Sequence, residues 1–268
     1  LLISCKTEKW EKVHTAKNEL IRCIKADGET IYFGSDSTLT EIKNGKAKSC
    51  IRNIDVNSIC LTTENVFAAT DQGVFRLNRT NSKSKRLNCG SSSIIAFSIL
   101  EFNKSIYVGT NEGLFLSKNK GDSWHIIEKG LFKKNILSLK EINGVLYAGN
   151  NNGQLYKWIH KENRWFEFPS SLGTDVYIED FLIYETNMYI ATFQHGLFRS
   201  TDKGTSWTNI NNGLLNGNTN CLVTFDKQIL VGTDFNEGVS HSINNGVFWK
   251  EFNDGMPFHI SVYCLLLS

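Results

Sequence analysis

Residues 200–207 read STDKGTSW, and two of them carry reactive groups: the Ser200 hydroxyl and the Asp202 carboxylate. They suit catalysis. They suit a turn equally well, because Ser and Asp side chains hydrogen-bond nearby backbone and Gly204 accepts a positive φ. Other reactive patterns are missing from the sequence. There is no His-Glu-x-x-His, no phosphate-cradling Gly loop ahead of a helix, and no Cys-x-x-Cys among the seven cysteines. The six histidines stand far apart. Recurrence of the octet decides between the two readings.

The elements that would position such groups read as strands. The 268 residues are 41% apolar, with 21 Gly and only 2 Pro. Asn, Ser, Thr and β-branched residues fill the spaces between apolar runs, a mixture that favours strands and tight turns. A net charge of +2 gives no whole-chain field for nucleic acid or an anionic membrane, and KSKR at 83–86 reads as a solvated turn. No stretch of eighteen apolar residues occurs.

One phrase returns six times, as in VFAATDQGVFRL from 66 and IYVGTNEGLFLS from 106, with a small residue as register mark at Gly34, Ala69, Gly109, Gly149, Ala191 and Gly232. Each copy reads as a β-hairpin bracketed by two further strands. Four short antiparallel strands every 40 residues or so is the pattern of a β-propeller blade, and the expected class is all-β. The position of Trp124, Trp165, Trp207 and Trp249 extends back through Leu87 and Ile51 to Trp10, while SVYCLLLS from 261 repeats an innermost strand. The expectation is therefore seven blades, the last shared by both ends of the chain and incomplete.

The octet recurs between third and fourth strands, as SKNKGDSW (Ser117, Asn119, Gly121, Trp124) and SINNGVFW (Ser242, Asn244, Gly246, Trp249), beside Ser200, Asp202, Gly204 and Trp207. On these residues the chain resembles the Asp-box, or bacterial neuraminidase repeat, propellers, in which the box is structural and lies opposite the ligand-binding face. The lead-in CKTEKWEKV followed by LIRCIKADGETIYFGSDSTLTEI is similar to the photosystem II stability and assembly factor branch. That resemblance implies seven blades, a non-enzymatic binding or assembly role and, often, a lipid anchor. It implies no cofactor and no bound metal.

The cysteines read as small buried hydrophobes. Cys23, Cys60, Ala96, Ser138, Asp180, Cys221 and Cys264 align as one small-residue position on the innermost strands. Cys5 differs, because LISC at 2–5 fits a bacterial lipobox. Residues 1–4 would then end a signal peptide, and 5–268 would form one propeller domain on a cell-envelope lipoprotein, periplasmic or surface. The competing reading makes LLIS a third strand.

A ligand would sit opposite the octets, on the turns between second and third strands and on the loops joining blades. The polar candidates are Asp36, Asp71, Glu112, Asn151, His195, Asp234 and Glu237, followed by Phe258 and His259. Asp180 alone puts a charge in the small-residue position, with Tyr177 and Glu179 nearby, and is expected to bind a ligand or ion at a channel mouth. The expected partner is a protein or carbohydrate, taken by a monomer that touches membrane only through a lipid anchor. The rival class is a sialidase-like glycoside hydrolase. That chemistry needs three arginines gripping a carboxylate, a Tyr–Glu nucleophile and an acid/base Asp. Arg76 and Arg199 share one repeat position, which leaves Arg22 as the sole candidate.

Overall fold

The structure, a computed structural model, describes residues 2–6, 9–14, 19–127, 130–131, 135–162, 164–169, 172–256 and 260–266. They fall into two compact units, Ile21–Asn151 with Leu155–Glu167, and Phe168–Leu267 with Leu1–Leu20 and Asn152–Gln154. Among them stand six four-stranded antiparallel meanders, each built from consecutive strands.

The first unit holds four of these blades. Blade one is β3 (Ile21–Asp27), β4 (Thr30–Ser35), β5 (Thr38–Lys43) and β6 (Lys46–Arg52). Blade two is β7 (Val56–Leu61), β8 (Asn65–Thr70), β9 (Gly73–Asn78) and β10 (Ser84–Leu87). Blade three is β11 (Ala96–Phe102), β12 (Ser105–Thr110), β13 (Gly113–Ser117) and β14 (His125–Ile127), and blade four is β15 (Ile136–Ile142), β16 (Val145–Asn150), β17 (Leu155–Ile159) and β18 (Arg164–Glu167). The second unit holds blade five, β19 (Tyr177–Tyr184), β20 (Asn187–Phe193), β21 (Gly196–Ser200) and β22 (Thr208–Asn209). It also holds blade six, β23 (Thr219–Phe225), β24 (Gln228–Thr233), β25 (Val239–Ser242) and β26 (Lys250–Glu251). A two-stranded sheet of β1 (Leu2–Lys6) and β2 (Lys9–His14) belongs to the second unit.

Within each unit the apolar clusters lie between consecutive sheets. Leu39 and Ile51 of blade one pack with Val56, Ile59 and Leu77 of blade two, and Tyr189, Leu197 and Ile210 pack with Leu222, Val231 and Trp249. Burial on both faces explains why second strands such as β8 are buried at every position.

Every innermost strand has a bulge at the same place, at Arg22, Asn57, Phe97, Leu137, Glu179 and Asn220. The extra residue re-aims its side chain. The Asn57 and Asn220 amides reach the carbonyls of Ala96 and Val262, 2.8 and 3.1 Å away. The residue after each bulge faces the register mark: Cys23, Ser58, Ser98, Ser138, Asp180 and Cys221 oppose Gly34, Ala69, Gly109, Gly149, Ala191 and Gly232. This corrects the expected alignment in two blades, where Ser58 and Ser98 occupy the position assigned to Cys60 and Ala96. Cys60 pairs instead with Phe67, and Ala96 with Thr110. Cys23, Cys50, Cys60, Cys89, Cys221 and Cys264 form no disulfide, and burial pushes the thiols of Cys23, Cys60 and Cys89 up to about 12.

Six four-stranded blades form among the described residues, not the seven expected. β1 and β2 pair only with each other, Cys5 opposite Trp10, so the LISC motif runs along a strand. Residues 261–266 join no sheet, and the Val262 backbone is tied to blade six instead. The Val262 N–H donates to the Thr233 carbonyl at 2.8 Å, and the Gly238 N–H to the Ile260 carbonyl at 2.8 Å. Val262 nevertheless lies against Gly232 as Val56 lies against Gly34. The repeat in SVYCLLLS is thus a repeat of packing without a ladder.

Candidate recognition surface

The three octets adopt one hydrogen-bonded turn. In each, the Ser hydroxyl accepts the N–H of the Gly four residues on, at 2.8 Å from Gly121 and Gly204 and 2.9 Å from Gly246. The same hydroxyl donates to Asn119, Asp202 or Asn244. That side chain then accepts the N–H of Ser123, Ser206 or Phe248. The glycines have φ near +80 to +88° and seat the loop on the preceding apolar layer. A Cβ at Gly121 would come 2.6 Å from Leu87, and one at Gly246 the same distance from Ile210. The side-chain oxygens of Ser200 and Asp202 are therefore committed to the turn.

Hydrogen bonds from the Ser206 hydroxyl and N–H, then Ser200, hold the exposed Asp202 carboxyl down at about 2, against an ordinary Asp near 3.9. A depressed carboxyl stabilises the fold above the unfolded value, and the benefit is lost as pH falls from about 4 to 2. Asn119 and Asn244 fill the same role without a charge. Asp202→Asn is accordingly expected to keep the midpoint of thermal unfolding at pH 7 and to flatten its decline between pH 4 and 2. A pH series of melting curves checks this; an unchanged acid limb would contradict it.

Arg76 and Arg199, which share one repeat position, are both spent on these loops. The Arg76 guanidinium donates to the Lys120 carbonyl at 2.7 Å, and that of Arg199 to the Asn245 carbonyl at 2.8 Å. Each clamps the octet of the following blade. Arg22 pairs with Asp55 at 3.4 Å. Among the described residues, no group of three or more His, Cys, Asp or Glu is arranged to hold a metal ion.

At the other end of the sheets, a buried hydroxyl closes five of the second-to-third-strand turns, that of Ser35 donating to the Thr38 carbonyl at 3.4 Å. Thr70, Thr110, Thr192 and Thr233 donate to the carbonyls of Gly73, Gly113, Gly196 and Gly238. Several predicted ligand residues cap this framework. The Asp71 carboxylate accepts the Asp55 N–H at 3.0 Å, and Glu112 accepts the N–H and hydroxyl of Ser91. Asn151 donates its N–H to the Asn135 carbonyl, and the exposed His195 contacts the Phe193 carbonyl through Nδ1. Asp36 is exposed on its turn. Phe258 and His259 lie outside the described residues.

Asp180 is occupied as well. One oxygen accepts its neighbour's N–H from Phe181, and the other accepts the Leu222 N–H of blade six, both at 2.8 Å. Its ligand reading competes with this tie between β19 and β23. Glu179, on the bulge, is reachable by solvent yet crowded by protein; that loss of bulk water, with the Asp180 charge second, lifts its carboxyl to about 7.

Blade six carries the longest of these turns. Phe235 and Asn236 both have positive φ, 52° and 68°, and Phe235 is 64% exposed. A bulky residue with φ above zero is an outlier. Asp234 anchors the turn, accepting the Phe235 N–H at 2.7 Å and the Tyr263 hydroxyl at 2.8 Å. Partial burial pushes its carboxyl up, but hydrogen bonds from Ser261, Tyr263 and Phe235 outweigh that and leave it below the ordinary range. Beside it, the loop carrying Leu215, 63% exposed, is tied down by the Asn216 amide to the Asp234 carbonyl at 3.1 Å. That loop is tied in turn to blade five, where Asn218 accepts the Gln194 N–H at 3.0 Å and the exposed Tyr177 ring meets Phe193 edge-on, 6.2 Å between centroids. Sequence reading named Tyr177 and Phe258 but not Leu215, Phe193 or Phe235, since its candidates on the second-to-third-strand turns were all polar; the apolar residue inside the polar DFNEG run was the available signal.

Solved structures share this arrangement of strands at low identity. The extracellular domain of a putative one-component system from B. thetaiotaomicron superposes with a TM-score of 0.72 at 15% identity, covering 87% of this chain and 33% of that one. YCF48 bound to D1 peptide gives 0.70 at 13%, covering 93% and 86%. The fold is a β-propeller. YCF48 from Cyanidioschyzon merolae gives 0.71 at 11%, covering 96% and 92%. The chain thus spans a third of the Bacteroides structure and most of the two YCF48 structures. No protein-family model matches the propeller's sequence, and no curated protein sequence does either.

Proposed function

We propose that this propeller is a non-enzymatic binding or assembly module that takes a protein segment at the octet-free end of blades five and six. The observation that carries the reading is the run of exposed apolar side chains there, Tyr177, Leu215 and Phe235, held by hydrogen-bonded turns and rimmed by Asp234, Glu237 and His195. Rigid aromatic anchors with a polar rim are what a protein interface needs, and strained backbone concentrates where ligands bind. YCF48 solved with D1 peptide is a propeller that accepts a peptide, which supports the class of partner. An exported location fits both the LISC motif and the extracellular neighbours. Lipidation at Cys5 rests on that motif, and loss of acyl labelling in Cys5→Ser would support it.

The test is a pull-down from the source cell envelope with the intact chain, repeated with Phe235→Ala and Leu215→Ala. Each is expected to weaken capture of the same partner by roughly tenfold or more, as truncation of a central anchor does. Ile243→Ser, an exposed residue of the sixth-blade octet, should leave capture unchanged. Equal capture by all variants would move the site elsewhere. Fluorogenic glycosides run alongside should show no turnover; turnover abolished by Glu179→Gln would favour a hydrolase instead.

A further inference from the structure

Blade two is one of the three blades without the octet, and there its loss leaves a basic cleft. Its third and fourth strands join through residues 79–83, and the KSKR run at 83–86 leads from that connection into β10. Lys85 stands directly opposite Arg76 on β9. Like charges facing each other across an antiparallel pair repel. On the same side of the sheet as Leu87, this pair looks toward the octet loop of blade three, which seats its Gly121 on Leu87.

Between sheet and loop lies a cavity of about 360 Å³, lined by Arg76, Lys83, Lys85 and Lys120 and by two acids, Glu64 and Asp122. Both acids are already matched. Asp122 pairs with Arg76 and Glu64 with Lys120, each at 2.8 Å. Lys83 and Lys85 have no ion-pair partner among the described residues. The cleft therefore carries two surplus positive charges, with Arg76 fixed in place behind Lys85 by the Lys120 carbonyl.

We propose that this cleft binds a tetrahedral oxyanion, a phosphate or sulfate group, gripped by the Lys83 and Lys85 ammonium groups. A dianion matches the surplus of two and removes the repulsion between Lys85 and Arg76. Charge-assisted hydrogen bonds from lysine suit a phosphate or sulfate as a point-charge target. The site lies in the other unit from the surface proposed for a protein partner and is independent of it.

The experiment titrates the intact chain with inorganic phosphate, with sulfate, and with sodium chloride at matched ionic strength, following backbone amide shifts of Arg76, Lys85 and Lys120 by NMR. Saturable shifts with phosphate or sulfate, absent with chloride, are expected. The Lys83→Gln/Lys85→Gln double variant should bind at least tenfold more weakly, while Lys43→Gln on blade one binds as wild type. Should the double variant fail to fold, Lys83→Gln alone is read, with an expected loss of threefold or more. Equal shifts with chloride, no shift with any anion, or unchanged affinity in the lysine variants would overturn the proposal.

Discussion

Trp249→Ala is expected to lower the unfolding free energy by roughly 3–5 kcal/mol, the cost typical of emptying a large aromatic site. The ring is 1% exposed and packs in the cluster of Leu197, Ile210, Leu222 and Val231. Its indole N–H donates to the Ile210 carbonyl at 2.8 Å, so truncation leaves both a cavity and an unpaired buried acceptor. Trp249→Phe keeps much of the volume and should lose less. Trp124 and Trp207 are only partly buried and their indole N–H groups have no partner among the described residues, so their alanine variants should also lose less than Trp249→Ala. Urea unfolding of the four variants checks the order; a loss below about 1 kcal/mol for Trp249→Ala would show that the site collapses to fill itself.

Gly109→Val should be almost as damaging, at about 3 kcal/mol or more. A Cβ there would stand 2.6 Å from the Ile136 carbonyl oxygen, 2.6 Å from the Ser98 Oγ and 2.8 Å from the Ile136 Cγ2. The obstacle is backbone of the next innermost strand, which cannot rotate away. Positions 69 and 191 hold Ala in the same register with no exposed surface, so a single methyl fits where the local spacing has adjusted to it. Gly109→Ala should accordingly cost less than the Val variant. Gly144→Ala would meet nothing within 4 Å, and its cost comes from a φ of +76° alone. Equal stability of wild type and Gly109→Val would mean that blade three shifts away from blade four.

The octets could be interpreted from sequence because their bonds are local. Ser200, Asp202, Gly204 and Ser206 satisfy one another within seven residues, and the same types recur at 117–124 and 242–249. The innermost strands were harder to read. Each residue after the bulge precedes its register mark by eleven positions, as Cys23 precedes Gly34, and that even spacing points to Ser58 and Ser98. The bulge itself leaves no mark, since Arg22, Asn57, Phe97, Leu137, Glu179 and Asn220 share no chemistry. Three of these side chains, Arg22, Asn57 and Asn220, reach the segment that follows their blade, at Asp55, Ala96 and Val262.

By itself the sequence determined the period, the four strands of each blade, the turn that joins the third to the fourth, and the all-β class, because hairpins and octets are held by hydrogen bonds between residues close along the chain. Only the tertiary structure decided that six four-stranded sheets form among the described residues, that Asp180 spends both oxygens on backbone, that Phe235 and Leu215 stand out beside Asp234, and that Lys83 and Lys85 face the loop of another blade. Those outcomes depend on partners such as Leu222 for Asp180 and Lys120 for Arg76, which lie 42 and 44 positions away. At that separation a residue's neighbours are set by how sheets pack, which no local pattern encodes.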